Sequence, residues 1–419
     1  MLGQFIGLCV GSKMSKVLFA WELGANFGHL SRDIPVAQKL RETGVQVRFA
    51  VRDTRVAGEM LPPHQFEFLQ APICFGRTRL GHQQANYAEM LLAEGWGDRK
   101  AFFGYISAWC ELLVGGDFDA VVADHAPGVL LAARITGRLA IPLGSGFEIP
   151  PDCKPMPTIR PWEQIDQARL LASEQHLLTL INATLTHFGA QPYDRLAEMF
   201  ALSPVLTTFE ELDHYGARNG GCYVGSIHGL CRAPLVSWPS GAGPRVIVYL
   251  RAQYKVTSDV IKGLIELGVR AVCVIPEAGE AIKQLNHSQT ITILEHPVTL
   301  NSLLEEADVV ISHGGVGTVA EALLKGVPIL MIPITVEQYL LARRVEAIGA
   351  GIAIDKKSSR EIINKAISEL NLNEKYKVRA KMFSNKYAAT IPQHSVDHVV
   401  RLITEMLTQH KINSLKKIC

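Results

Sequence analysis

Apolar residues in this chain come in short unbroken runs. Each run is followed by a glycine- or proline-marked turn and then by a stretch with helical spacing. Lys16–Trp21 (KVLFAW) is the first such run, and continuity of this kind predicts a strand buried on both faces. The loop GANFGH (Gly24–His29) follows, then a predicted helix over Ser31–Thr43 with Ile34, Ala37 and Leu40 on one side and Gly44 closing it. Val45–Val51 predicts a strand, as do Ala120–Ala123, ending at Asp124, and Ala140–Leu143 beyond a helix over Gly128–Thr136. The second half repeats this order. Strands are predicted at Arg245–Leu250, Ala271–Ile275, Val309–Ser312 and Val327–Ile332, with helices at Thr257–Leu267 and Val316–Lys325. Strand alternating with helix predicts an α/β fold made of two doubly wound, Rossmann-like parallel sheets. Pro234, Pro239 and Pro244 mark residues 225–244 as a linker, because proline lacks the donor that a sheet needs. Residues 1–14 therefore read as a loose N-terminal extension, 15–224 as a first domain, 245–391 as a second, and 392–419 as a tail. Val396, Val399, Val400, Ile403 and Met406 give that tail helical spacing. Two such domains bind ligands in the cleft outside the carboxyl ends of their strands.

The 48% hydrophobic and 20% charged content excludes disorder and coiled coil. A net charge of +2 is too balanced to point to a nucleic acid partner. From Asp355 to Cys419 there are 13 Lys+Arg against 6 Asp+Glu, so the tail is locally basic. Such a tail is a solvated face or a weak attraction to anionic lipid. The eight cysteines (Cys9, Cys74, Cys110, Cys153, Cys222, Cys231, Cys273 and Cys419) are scattered with no CxxC pair. That excludes a clustered zinc site and a disulfide scaffold, and points to a reducing, cytoplasmic location. No apolar run is long enough to predict a membrane span.

The sharpest local signal is HGGVGT (His313–Thr318), between a strand and a helix. Gly314, Gly315 and Gly317 let a ligand approach the backbone, and the helix beyond aims free N–H groups and a positive dipole end at it. A diphosphate suits that position. His313 is a further donor, Thr318 supplies a hydroxyl, and Glu321 lies one turn along.

The segment Ile311–Gly351 resembles the donor-binding signature of family 1 glycosyltransferases of the GT-B fold. The matching residues are His313, Gly314, Gly315, Gly317, Thr318, Glu321, Gly326–Pro328, Pro333, Glu337, Gln338, Gly349 and Gly351. Phe209–Gly225 is similar to the family's stretch before the linker. The resemblance implies that His313 and the Gly314–Thr318 backbone hold a nucleotide diphosphate. It also implies that Glu321 takes the ribose hydroxyls, and that Glu337 and Gln338 contact the transferred sugar. It further implies an inverting, metal-independent reaction with no cofactor beyond the nucleotide diphosphate sugar. His29, in the Gly28–His29 pair, would be the base and Asp124 its orienting carboxylate, and the last helix would cross back onto the first domain. Physical chemistry supports those roles, because histidine titrates nearest working pH and a carboxylate on its far nitrogen fixes the tautomer.

The chain departs from the family at several positions. Arg32 stands where a proline is usual, and is open to contact with a phosphate, an anionic acceptor or a charge near Asp33. Arg251 replaces a serine-rich turn and would touch the diphosphate. Leu341 replaces an asparagine, and Glu295-His296-Pro297-Val298 occupies the base-stacking region. Gln65–Leu113 is aromatic-rich, either as an acceptor pocket or as core. Phe75 and Arg77 are its acceptor candidates, and Arg79 and His82 lie nearby. His125 is a spare base, ranked below His29 because strand alternation sends it to the other face. The function predicted is transfer of a hexose from a UDP- or TDP-sugar to a hydroxyl of a small-molecule, natural-product or lipid acceptor, by a monomer or homodimer. A nucleotide-sugar epimerase or hydrolase, and a non-catalytic nucleotide-sugar-binding auxiliary, are the alternatives.

Overall fold

The computed structural model describes residues 14–25, 27–76, 78–228, 234–287, 289–296 and 298–418. The expected extension over 1–14 lies, apart from exposed Met14, outside the described residues, as does Arg77.

Among the described residues, thirteen strands form two sheets. The first holds β1 (Lys16–Trp21), β2 (Gln46–Val51), β3 (Phe68–Gln70), β4 (Ala120–Asp124), β5 (Leu139–Gly144), β6 (Val205–Leu206) and β7 (Cys222–Tyr223). The second holds β8 (Arg245–Tyr249), β9 (Arg270–Val274), β10 (Ile291–Leu294), β11 (Val309–Ser312), β12 (Ile329–Met331) and β13 (Gly351–Ala353). Their orders are β3-β2-β1-β4-β5-β6-β7 and β10-β9-β8-β11-β12-β13, with every neighbour parallel. The fold is α/β with two doubly wound parallel sheets, as the alternating pattern predicts.

Helices cover both faces. Those of the first half are α1 (Gly28–Glu42), α2 (Thr54–Met60), α3 (Tyr87–Leu91), α4 (Arg99–Gly115), α5 (Pro127–Thr136) and α6 (Gln167–His187). Those of the second are α7 (Lys255–Glu266), α8 (Glu280–Lys283), α9 (Asn301–Leu304), α10 (Val316–Leu324), α11 (Val336–Ala347), α12 (Arg360–Leu372), α13 (Glu374–Lys386) and α14 (Pro392–Ile418). The first helix starts at Gly28 rather than Ser31, so His29 lies in its opening turn instead of in a loop. Val396, Val399, Val400, Ile403 and Leu407 of α14 are buried in the core of the first sheet, so the last helix does return to the first domain.

The aromatic-rich stretch resolves toward packing. Phe66, Tyr87, Trp96, Phe102, Tyr105 and Trp109 are buried, and all but Phe66 lie in the cluster beneath α4 and α5. An acceptor pocket built from them is therefore corrected to core. Phe68 and Phe103 are half-buried, and Phe75 is 81% exposed on the loop after β3.

Candidate active site

In each sheet the strand order reverses beside the central strand, between β1 and β4 and between β8 and β11. At such a switch the outgoing loops part and leave a crevice at the carboxyl ends. The candidate residues fall at both crevices.

In the first domain His29 follows β1 and Asp124 ends β4. His29 Nδ1 lies 2.9 Å from Asp124 Oδ1. A carboxylate accepts only, so Nδ1 carries the proton and Nε2 keeps its lone pair. Trp21 stacks on the imidazole at 5.1 Å. A Cβ at Gly24, whose φ is +86°, would lie 2.3 Å from Nε2, so glycine there is what leaves the nitrogen room. Burial pulls the imidazole down, but the charge and hydrogen bond of Asp124 outweigh it and hold His29 above its ordinary value.

Arg32, open between phosphate, acceptor and salt bridge, is corrected to a buried ion pair. Its guanidinium bonds Asp124 and lies 3.5 Å from Glu148 and 3.9 Å from Asp33, with only 10% of its side chain exposed. Despite burial, the Arg32 charge, followed by His29, holds the Asp124 carboxyl below its ordinary range. Glu148, invisible as a motif, accepts from Ser145 N at 2.9 Å and from Ser145 Oγ. The signal that would have found it is an acidic residue in the loop that follows the buried strand β5, as Asp124 closes the neighbouring β4. His125 takes a left-handed φ of 46° just beyond β4, which turns its ring to 6.1 Å from that of His29. Strand alternation therefore misplaces it: it joins the cluster as a buried neutral ring, with burial pushing its pKa down to about 4.

In the second domain the glycine loop opens α10. Gly315 is the N-cap, Gly314 has φ +89°, and Val316, Gly317 and Thr318 form the first turn, where amides have no helical partner. His313 Nδ1 donates to Ile332 O at 2.8 Å, and Nε2 accepts from Arg251 N–H at 3.0 Å. One neutral tautomer satisfies both bonds, so the ring has no N–H left over, and the expected extra donor is corrected to a strut between the ends of β8, β11 and β12. Burial lowers its pKa. Arg251 thus contributes its backbone here, with its guanidinium beside the loop. Burial raises Glu321 to about 7.

Thr335 caps α11 in a capping box. Gln338 Oε1 accepts from Ile334 N at 2.9 Å, which leaves the Gln338 amide N–H groups to face outward. Neighbouring Glu337 is raised to about 7, first by burial and then by the charge of Glu148 across the cleft, while His29 and Arg32 pull it down. The His29 cluster and the Glu337–Gln338 pair therefore share one electrostatic space. Val336 and Leu340 pack on Phe147 and Ile159, and Trp162 meets Tyr339 at 5.8 Å, so α11 is one place where the domains touch.

Residues 264–394 match the family model of the glycosyltransferase family 28 C-terminal domain. The UDP-sugar-dependent glycosyltransferase 52 of Dictyostelium discoideum is 34% identical over 25% of this chain and 6% of its own length. The NDP-glycosyltransferase YjiC of Bacillus subtilis (strain 168) is 46% identical over 13% of this chain and 14% of its own. This chain thus aligns with only a small part of these curated relatives. Among solved structures, the calicheamicin glycosyltransferase CalG4 superposes with TM-score 0.70 over 95% of this chain and 99% of that one, at 16% identity. The glycosyltransferase VinC, solved in complex with DTDP, gives 0.66 over 94% and 100%, at 15% identity. These likenesses fix the fold.

Proposed function

We propose that this chain, which belongs to the GT-B glycosyltransferases of the family 1 type, is an inverting, metal-independent hexosyltransferase. It would use a pyrimidine nucleotide diphosphate sugar and a hydroxyl-bearing small-molecule, natural-product or lipid acceptor. The observation that carries the reading is the oriented His29–Asp124 pair, whose charges are felt by Glu337.

The acceptor O–H gives its proton to His29 Nε2 as its oxygen bonds the anomeric carbon from one side. The bond to the diphosphate oxygen breaks on the other side and takes its electron pair. The negative charge that develops meets the free amides at Gly315–Thr318, and Arg251 stands beside them. General-base help of this kind contributes roughly 10²–10⁴-fold. Glu321 accepts from the ribose, Glu337 accepts from the sugar hydroxyls, and the free amide N–H groups of Gln338 donate to them. Arg32 does not touch substrate; it keeps Asp124 ionised, and so keeps Nδ1 protonated. His29, Asp124 and Glu148 lie close enough together to hold a metal ion. The Arg32 guanidinium already bonds Asp124 and lies 3.5 Å from Glu148, so an added cation there meets a positive charge. Among the described residues no helix is long and apolar enough to cross a membrane. The described cysteines are unpaired, which suits a reducing, cytoplasmic setting.

His29→Ala should abolish transfer while UDP or TDP still raises the melting temperature. Transfer that persists rejects the base. Donor consumed equally with and without acceptor would make the protein a hydrolase.

A further inference from the structure

A cavity of about 290 Å³ lies where the chain passes between the domains, away from the cleft residues above. Thr208, Gly225, Thr390, His394, Ser395 and His398 contribute to its wall. Both crossings border it. Gly225 opens the stretch from β7 to β8, and residues 387–391 join α13 to α14.

Three features of its chemistry agree. Ser395 and Thr208 are each 1% exposed, and neither hydroxyl has a partner among the described residues. Buried hydroxyls nearly always have one, so these two point to a polar occupant. The cavity also receives the N-terminal end of α14, a 27-residue helix whose dipole favours negative charge there. His394 and His398 stand one turn apart on that helix, side by side. Space is kept by Gly225 at φ +83°, since a Cβ there would come 2.9 Å from Ser395 Oγ and 3.0 Å from Thr390 Cγ2. Among the described residues no acidic side chain lines the wall. Two of the tyrosines in the wall spend their hydroxyls on acids, Tyr223 donating to Asp213 at 2.8 Å and Tyr387 to Glu211 at 2.6 Å.

We propose that this cavity is a second binding site, separate from the donor loop, for a small phosphate-type oxyanion held by Ser395, Thr208 and the start of α14. The volume takes a phosphate or a small phosphate ester with a few waters, each water needing ~30 Å³. Because both crossings touch it, an occupant ties the hinge between the domains.

The test is calorimetric titration with inorganic phosphate at constant ionic strength, with saturating UDP present so that the donor loop is filled, and glucose 1-phosphate as a second arm. The expected result is saturable binding of either anion, at least tenfold weaker in Ser395→Ala/Thr208→Val. No saturable binding, complete displacement by UDP, or unchanged affinity in the double variant overturns the proposal. Should that variant not fold, His398→Gln on the partly exposed side of the helix replaces it. A several-fold loss then supports the site and equal affinity overturns it.

Discussion

A guanidinium sealed between carboxylates cannot be removed without leaving their charges where water does not reach. Breaking a buried pair from one side costs about 3–5 kcal/mol. Arg32→Met should therefore lower the unfolding free energy by that order in urea, besides slowing transfer. A change confined to the acceptor KM, with stability intact, would return Arg32 to the acceptor side. The same cluster sets a pH profile. Asp124 raises the His29 pKa, and the base works unprotonated. kcat/KM should thus climb with pH through a midpoint above 6.5, and Asp124→Asn should move that midpoint down as well as reducing the rate. Gly24→Ala is the finer probe. Its methyl group falls on Nε2 and the residue must hold φ +86°, so turnover should drop at least tenfold while UDP still shifts the melting temperature.

At the scale of elements, the buried strands were legible because parallel strands covered on both faces are unbroken apolar runs. Lys16–Trp21 and Val309–Ser312 were read to the residue. Two-residue strands such as Val205–Leu206 and Cys222–Tyr223 are too short to show a period. The His29–Asp124 pair could be named from motif and position. Arg32 could not be placed, because its partners lie 92 and 116 residues away and come together only through the β1–β4–β5 pairing. His125 was misplaced because alternation ends with the strand and a left-handed residue redirects the ring. Helix α10 carries the next prediction. Burial raises Glu321 to about 7, above its unfolded value of 4.5, so ionising it costs stability as pH rises through 7. A ribose that donates to the carboxylate relieves that cost. The UDP-induced rise in melting temperature should be larger at pH 8 than at pH 6, and Glu321→Gln should flatten the difference. Equal shifts at both pH values in the unaltered protein would remove Glu321 from the donor site.

Across the whole molecule, the two sheets use the same device twice, one crevice for the base and one for the diphosphate, and α11 sets them face to face. What keeps the first sheet closed comes from the far end of the chain. Five side chains of α14 (Val396, Val399, Val400, Ile403 and Leu407) fill the core behind β1, β4 and β5. Burying each is worth about 1.5–3 kcal/mol. Their sum is comparable to the roughly 5–15 kcal/mol that holds a whole domain together. The first domain should therefore not be an independent folding unit. A fragment ending at residue 224 is expected to lack a cooperative thermal transition and to gain one when α14 is supplied as a peptide. In the full chain Ile403→Ala should cost about 2–5 kcal/mol, because the cavity opens under a sheet that cannot collapse around it. It should leave a UDP-induced melting shift in the second domain, whose core does not include that side chain. A fragment of residues 15–224 that melts cooperatively alone would show that α14 covers a finished core rather than completing it.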